Sequence, residues 1–219
     1  MTPAALALAL LSSAVLAAPL PPERPDGPAR DGPAAVEAAP SATAAMMLCR
    51  DPRLVGEAGP DIVEVGDLAC GIDDPVRVTS VAGIRLSPPA LLGCPTARRL
   101  ADWLTGVAQR QARAHLGAGI AELRVTGSYA CRSVNNAGRW RSEHARGRAI
   151  DIGGFTLSNG AEVTVARDWG ETPAGAFLRE IWRKACGLFS TVLGPDADRH
   201  HRDHLHLDTA PRGGEPYCR

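Results

Sequence analysis

The sequence has no excess of charge, because 24 Lys and Arg residues balance 24 Asp and Glu residues among 219. Nucleic-acid binding depends on a basic surplus that neutralises phosphates, so this balance argues against such a partner. The apolar run at the N-terminus covers about fourteen residues, which is too short to span a bilayer. The sequence contains no internal repeats. Its composition, 45% hydrophobic and 22% charged, is that of a globular protein with one well-buried domain.

The N-terminal segment, MTPAALALALLSSAVLAAPL, is uncharged and ends in small residues. Val-Leu-Ala at 15–17 fits a signal-peptidase site, so we predict a signal peptide over residues 1–18. The mature chain is then expected in the periplasm or outside the cell, with no transmembrane segment. The run has no Lys or Arg before it, which leaves an uncleaved anchor as the alternative. Residues 19–45 are Pro- and Ala-rich, as in a disordered linker, and the folded domain is placed at 46–219.

The sequence has no C-x-x-C pair, because the closest two of its six cysteines are 21 residues apart. This spacing excludes a thiolate zinc knuckle and a C-x-x-C redox motif. An even number of cysteines in an exported chain predicts three disulfides, and fifteen pairings are open. Six reduced thiols in a cytoplasmic protein are the alternative. The cysteines are Cys49, Cys70, Cys94, Cys131, Cys186 and Cys218.

The pattern of apolar residues in the domain predicts an α+β fold. Helices are expected over 94–117 and 173–187, because each has an apolar stripe at helical spacing, a proline in its first turn and a glycine at its end. The strand predictions are a strand or bent hairpin over 75–86, a strand over 121–132 and a hairpin over 149–166. Asn159-Gly160 suits a type I′ turn in that last hairpin.

Histidine is scarce and clustered, since four of the six histidines lie in HHRDHLHLD, residues 200–208. Imidazoles that alternate with acids are typical of a metal site or a proton relay. About sixty residues upstream, in SEHARGRAIDI, His144 and Asp151 are seven residues apart, and Gly147 between them allows a tight turn. Two imidazoles and a carboxylate make the three-ligand set of a catalytic zinc site, which leaves a position for water. An adventitious metal patch is the alternative, but it does not explain the upstream motif.

These residues belong to a longer motif, S-x-H-x-x-G-x-A-x-D, which starts at Ser142 and ends at Asp151. An H-x-H motif follows at His204 and His206. The two motifs resemble the signature of the LAS zinc peptidases, a group that includes D-alanyl-D-alanine carboxypeptidases and dipeptidases, murein endopeptidases and several phage endolysins. Over residues 94–219 the chain also resembles the bacterial extensin-like C-terminal domain, through GSYACR, SEHARGRAIDI, HRDHLHLD and YCR.

The resemblance implies a fold of the LAS type, in which helices flank a small antiparallel sheet. It also implies one Zn²⁺ ion per chain, held by His144, Asp151 and His206. The activity that it implies is that of an exported zinc-dependent peptidase, which hydrolyses peptidoglycan stem peptides or cross-links with metal-activated water. The alternative is a non-catalytic, zinc-stabilised module that binds the cell envelope, because a fold does not determine a function. Loops around the site select the bond that is cut, which stays open, as does the oligomeric state.

LAS peptidases use two kinds of residue to activate water, and this sequence has both. Asp203 is an acid three positions before the last ligand, whereas His204 belongs to an H-x-x-H-x-H motif that begins at His201. A regular strand would place His204 on the face of His206 and Asp203 on the other face, which favours His204. The segment follows a Pro-Asp-rich turn and need not be regular. We therefore assign acid–base work to both residues and a supporting role to His201.

Three further residues are candidates for supporting roles. Arg132 in GSYACR stands where many LAS peptidases have an arginine that binds a substrate carboxylate or steadies an oxyanion. A surface salt bridge is the alternative for Arg132. Ser142 is expected to support a ligand or the substrate through its hydroxyl. Asp208, two residues after His206, is a candidate to orient an imidazole, with a solvent-exposed charge as the alternative.

Overall fold

The computed structural model describes residues 47–67, 69–134 and 140–219, which belong to one compact unit. The predicted signal peptide (residues 1–18) and the predicted linker (residues 19–45) lie outside the described residues. In the described part of the chain, no helix is long and apolar enough to cross a membrane.

Among the residues that the structure describes, nine strands form one large sheet, and two more form a separate pair. In chain order the strands are β1 (Leu54–Ala58), β2 (Ile62–Val63), β3 (Gly71–Ile72), β4 (Pro75–Val81), β5 (Ile84–Gly93), β6 (Ile120–Gly127), β7 (Ala149–Leu157), β8 (Glu162–Thr164), β9 (Thr191–Leu193), β10 (Leu205–Asp208) and β11 (Tyr217–Cys218). The large sheet has the order β1-β4-β5-β6-β7-β10-β9-β11, with β8 also paired to β7, while β2 pairs with β3. Within it, β5–β6 and β9–β11 are parallel pairs.

The prediction of an α+β fold is confirmed, but the prediction of a small antiparallel sheet is wrong. The sheet is large because the segment before residue 94 supplies β1, β4 and β5. For this segment the sequence pattern predicted only a strand or bent hairpin over 75–86, which is the β4–β5 hairpin, and β5 continues to Gly93. The sheet is mixed because a long helix connects β5 to β6, and a crossover of this kind returns the chain in the same direction.

Both predicted helices are confirmed. The helical segments are a 3₁₀ turn (Leu48–Arg50), α1 (Cys94–Trp103), a π-helical segment (Leu104–Ala108), α2 (Gln109–Leu116), a 3₁₀ turn (Glu143–Arg146), α3 (Val165–Asp168) and α4 (Pro173–Ala185). α1, the π-helical segment and α2 form one continuous helix. It has Pro95 in its first turn and ends at Gly117, whose φ is 70°. Thr172 begins α4 by accepting a hydrogen bond from Gly175 N at 3.0 Å.

The hairpin of β7 and β8 is confirmed, but its turn is not of type I′. A type I′ turn needs a positive φ at both central residues. Gly160 has a φ of 84°, whereas Asn159 is not among the described residues with positive φ. Leu157 N donates to Ala161 O at 2.8 Å, so the loop has three residues, of which only the last, Gly160, adopts the left-handed conformation.

A bulge in β7 places side chains before and after it on opposite faces of the sheet. The pairing of β7 with β6 skips Gly153. Asp151 and Phe155 would share a face in a regular strand, because they are four residues apart. Because of the bulge, Phe155 packs against Trp103 and Phe177 of the helices, while Asp151 points into a cleft on the other side.

Three disulfides stabilise the unit, as the cysteine count predicts, and no described cysteine is free. They are Cys49–Cys94, Cys70–Cys131 and Cys186–Cys218. The last one joins the end of α4 to β11. Each closes a loop of more than thirty residues, since the separations are 45, 61 and 32. Loops of this length stabilise the fold chiefly by restricting the unfolded chain.

Candidate metal centre

Three predicted ligands meet on the face of the sheet that lies opposite the core. His206 in β10 is directly across from Asp151 in β7, so both side chains leave the same face. His144 reaches them from the 3₁₀ turn before β7. Asp151 Oδ1 is 2.9 Å from His206 Nδ1 and 3.1 Å from His144 Nε2. The two imidazole nitrogens are 3.2 Å apart, although the two histidines are 62 positions apart in the chain.

Local structure determines where His144 and Asp151 point. The hydroxyl of Ser142 caps the 3₁₀ turn and accepts a hydrogen bond from His144 N at 3.4 Å. Gly147 ends this turn with a φ of 61°, a conformation that favours glycine. In β6, a Cβ at Gly127 would collide with the Asp151 carboxylate. The glycine therefore allows the carboxylate to lie against the neighbouring strand.

The outer nitrogens of both imidazoles contact acceptors. His144 Nδ1 lies 2.7 Å from the carbonyl oxygen of Ser128, and His206 Nε2 lies 3.3 Å from Asp208 Oδ2. Neither oxygen has a proton to donate, so each ring carries an N–H on its outer side. In their neutral forms, both rings then present lone pairs to each other and to Asp151 Oδ1.

Three acceptor atoms within 3.2 Å of one another repel unless a positive charge lies between them. That charge is either a proton or a metal ion. Two imidazole nitrogens and a carboxylate oxygen are ligands that zinc accepts. Bonds of about 2 Å at tetrahedral angles separate ligand atoms by about 3.3 Å. The three side chains therefore fit a zinc ion with one position left open.

His204 and Asp203 lie beside these residues but point in different directions. Both precede β10, which begins at Leu205. The Asp203 side chain is 75% exposed, and its Oδ1 accepts a hydrogen bond from His204 Nδ1 at 2.8 Å. In the neutral imidazole the other nitrogen, Nε2, then has the lone pair, and it lies 3.7 Å from Asp151 Oδ1. Of the two residues, the structure places His204 next to the three acceptors.

His201 and Arg132 lie further out. His201 donates from Nδ1 to Asp198 Oδ1 at 2.9 Å, and its ring centroid is 5.2 Å from that of His204. Burial lowers the pKa of His201, although Asp198 opposes the shift. Arg132 Nη2 is 4.0 Å from Asp151 Oδ2, and its side chain is 35% exposed. Both residues border the site without touching its three acceptor atoms.

The three acceptor residues line an open cleft of about 1080 Å³, together with His201, His204 and Arg132, whereas Asp203 does not line it. This volume accommodates several residues of a peptide. The cleft also contains two exposed aromatic side chains, Trp140 and Tyr217. A second group of metal-binding residue types, Asp67, Cys70 and Cys131, offers no thiolate, because the two cysteines share a disulfide.

The family model of the extensin-like protein C-terminus matches residues 54–219. The chain belongs to this family. No curated protein and no solved structure matches the chain. The match begins at the first residue of β1, and so it covers the whole large sheet and every residue of the cleft. The extensin-like resemblance of residues 94–219 is confirmed and extends forty residues further towards the N-terminus.

In this extensin-like domain, a proton can balance the charge of the site when no metal is bound. Burial raises the pKa of Asp151, but hydrogen bonds with His144 and His206 outweigh burial and hold that pKa well below its usual range. Burial lowers the pKa of His206, whereas hydrogen bonds to Asp151 and Asp208 more than compensate and raise it to about 9. Below about pH 9, binding of a metal ion to Nδ1 would therefore displace the proton of His206.

Several residues that contact the site or line the cleft of this extensin-like domain were not identified from the sequence patterns. Ser128 contributes only a backbone carbonyl, which any residue type supplies. Thr191 and Arg212 line the far side of the cleft in segments without a motif. Tyr217 also lines the cleft. The sequence pointed to it only through the closing YCR, which belongs to the extensin-like resemblance.

Proposed function

We propose that this chain is an exported zinc-dependent peptidase that hydrolyses peptidoglycan stem peptides or cross-links. One observation carries the proposal: His144, Asp151 and His206 converge in an open cleft, with their acceptor atoms within 3.2 Å. Three ligands with an open position, next to a proton acceptor, are the arrangement that metal-assisted hydrolysis uses. The resemblance of both motifs to LAS peptidases supports a peptide substrate and a relationship to the LAS fold.

In the proposed hydrolysis, side chains of this protein would transfer the proton from the attacking water to the leaving group. Zinc in this site would supply Lewis acidity, which lowers the pKa of water to about 7 and polarises a carbonyl group. Asp203 accepts the hydrogen bond of His204 Nδ1, and this contact selects the neutral tautomer that has its lone pair on Nε2. His204 can therefore take a proton from the attacking water and deliver it to the nitrogen of the leaving peptide. Asp203 acts through His204, by holding its ring and tautomer.

Arg132 would stabilise the negative charge that develops on the carbonyl oxygen. Its guanidinium is 4.0 Å from Asp151 Oδ2, which is too far for a hydrogen bond. Within the described part of the chain its donors have no closer acidic partner, and it lines the cleft. A guanidinium in this position can turn towards an oxyanion at a small energetic cost.

The three disulfides support the exported part of the proposal. Disulfides form and persist in oxidising compartments such as the periplasm and the cell exterior. Peptidoglycan lies in the same compartment, so location and substrate agree with each other.

Digestion of purified cross-linked muropeptides tests the proposal. We expect new products by mass spectrometry with zinc-loaded protein, loss of these products with a chelator, and their return with added zinc. A His206→Ala variant serves as the inactive control. Zinc binding without any cleavage would favour the non-catalytic envelope-binding module. Absence of both zinc binding and cleavage would refute the peptidase and the module together.

A further inference from the structure

One wall of the cleft comes from the C-terminal segment, which lies outside both histidine motifs. β11 pairs in parallel with β9, and the Cys186–Cys218 disulfide ties it to the end of α4. Arg212 and Tyr217 of this segment line the same cleft as the three acceptor residues. Because the wall is held by backbone hydrogen bonds and a covalent bond, contacts with a ligand there need little ordering of the chain.

The strand register gives the distance between this wall and the candidate metal centre. Asp208 lies opposite Thr191, and Thr191 lies opposite Tyr217. The three residues form a row across the sheet, two residues along the strands from the row that contains His206. Arg212 donates to Thr191, which lies one strand spacing of about 4.8 Å across and two residues of about 3.3 Å along from His206, so roughly 8 Å from it. An extended peptide covers this distance with about three residues.

Arg212 is held in the wall by groups that do not neutralise its charge. Its Nε and Nη2 donate to Thr191 Oγ1 at 3.1 and 2.7 Å. Its Cζ lies 5.9 Å from the centre of the Tyr217 ring. A hydroxyl and an aromatic face fix a guanidinium without cancelling the charge. The structure describes no ion pair of Arg212 with an acidic residue in the ranges that it covers.

We propose that Arg212 is a specificity residue that binds a carboxylate of the peptide, about three residues from the bond that is cut. This inference rests on the proposed function, because it assigns an acidic peptide to the same cleft. Thr191 occupies one edge of the guanidinium, so the edge formed by Nη1 and Nη2 remains for a ligand. That edge matches the two oxygens of a carboxylate. A single fixed guanidinium beside Asp198 and Asp208 suits one carboxylate better than a polyanion.

Paired synthetic peptides test the inference. Within each pair, one peptide carries a carboxylate and the other a carboxamide, three residues from the bond that muropeptide digestion identifies. If no bond is cut, the group is placed three residues from the terminus of the peptide. Binding to the zinc-loaded full chain is measured by calorimetry, and cleavage by KM and kcat. We expect the carboxylate peptide to bind about 10- to 100-fold more tightly than its carboxamide, the usual range for a hydrogen bond to a charged group. In Arg212→Gln that preference should vanish through KM, while kcat and zinc content stay unchanged.

Arg219→Gln is the matched control. Arg219 also stacks on Tyr217, with its Cζ 5.4 Å from the ring centre, but it is not among the described residues that line the cleft. The control should keep the carboxylate preference. A folding defect in Arg212→Gln would weaken both peptides of a pair, so the ratio within a pair remains informative, and Arg212→Lys provides a second variant.

The outcomes separate this inference from the proposed function. Cleavage with the same carboxylate preference in Arg212→Gln and in the unsubstituted chain would overturn the inference and leave the peptidase intact. An Arg212-dependent preference in binding, without any cleavage, would support the inference and refute the peptidase. Equal binding of both peptides by the unsubstituted chain would overturn the inference whether or not cleavage occurs.

Discussion

His206 lies directly across the β7–β10 pair from Asp151, and its Nδ1 is 2.9 Å from Asp151 Oδ1. The distance therefore depends on strand register more than on the reach of a flexible side chain. A slip of one residue would turn His206 into the core and bring Leu205 or Leu207 to the cleft. Both leucines are fully buried, so the hydrophobic core opposes such a slip and keeps the two polar groups together.

Replacement of His206 by Ala should abolish high-affinity zinc binding. We expect about one zinc per unsubstituted chain and close to none in the variant, measured by atomic emission. Zinc at about 100 times its dissociation constant should stabilise the unsubstituted protein by about 2.7 kcal/mol, seen in thermal unfolding, and should not stabilise the variant. His200→Ala is the control, because it removes an exposed imidazole from the same stretch. Retention of zinc by the His206 variant would contradict the ligand set.

Replacement of His204 should separate proton transfer from metal binding. His204→Ala is expected to keep zinc and to lose muropeptide cleavage by about 10²- to 10⁴-fold, the usual worth of a positioned acid–base group. Asp203→Ala should keep zinc and lose only about tenfold, because Asp203 is exposed and acts through the ring that it orients. Zinc content and turnover are measured on the same samples. Loss of zinc in His204→Ala would make His204 a ligand instead.

Zinc affinity should fall as the pH falls. In the metal-free protein the pKa of His206 is raised to about 9, so below that pH zinc competes with a proton. The apparent affinity should rise about tenfold per pH unit between about pH 7 and 8.5, measured by chelator competition. An affinity that is flat across this range would show that His206 releases no proton on binding.

Metal-free stability should respond in the opposite direction. A folded-state pKa above the ordinary value of 6.5 contributes stability that is fully present below about pH 6.5 and is lost as the pH rises through about 9. Denaturant unfolding of the metal-free chain should therefore show decreasing stability from about pH 7 to 9. His206→Ala should lack this part of the decrease.

Asp208 should matter for zinc although it is not a predicted ligand. Its Oδ2 accepts a hydrogen bond from His206 Nε2 at 3.3 Å, which directs the Nδ1 lone pair of His206 at the site. Asp208→Asn is expected to weaken zinc binding by about 10- to 100-fold. Asp198→Asn is the matched control, because it alters a carboxylate–imidazole pair in the same cleft, with His201. Equal weakening in both variants would point to a general loss of negative charge.

The sequence alone determined features that depend on residues close together in the chain, such as helix ends and turns. The helix over 94–117 could be bounded in advance, because proline suits a first turn and glycine suits a left-handed end in any context. The turn before β7 needs Gly147 for the same reason. The resemblance of the two motifs to LAS peptidases also implied His144, Asp151 and His206 as one ligand set, and the structure brings them together. Their zinc remains a prediction.

Only the tertiary structure decided what depends on distant contacts. The position of His204, and not of Asp203, beside the three acceptors follows from how the chain enters β10 next to β7, and no spacing rule describes that entry. The disulfide pairing, the parallel β5–β6 contact and the bulge at Gly153 likewise depend on segments that meet after folding. Nothing in the sequence distinguishes Arg212 from the other arginines, and only its contacts with Thr191 and the Tyr217 ring place it in the cleft. Pairings between distant segments are set by the packing of the whole core, which short sequence patterns do not contain.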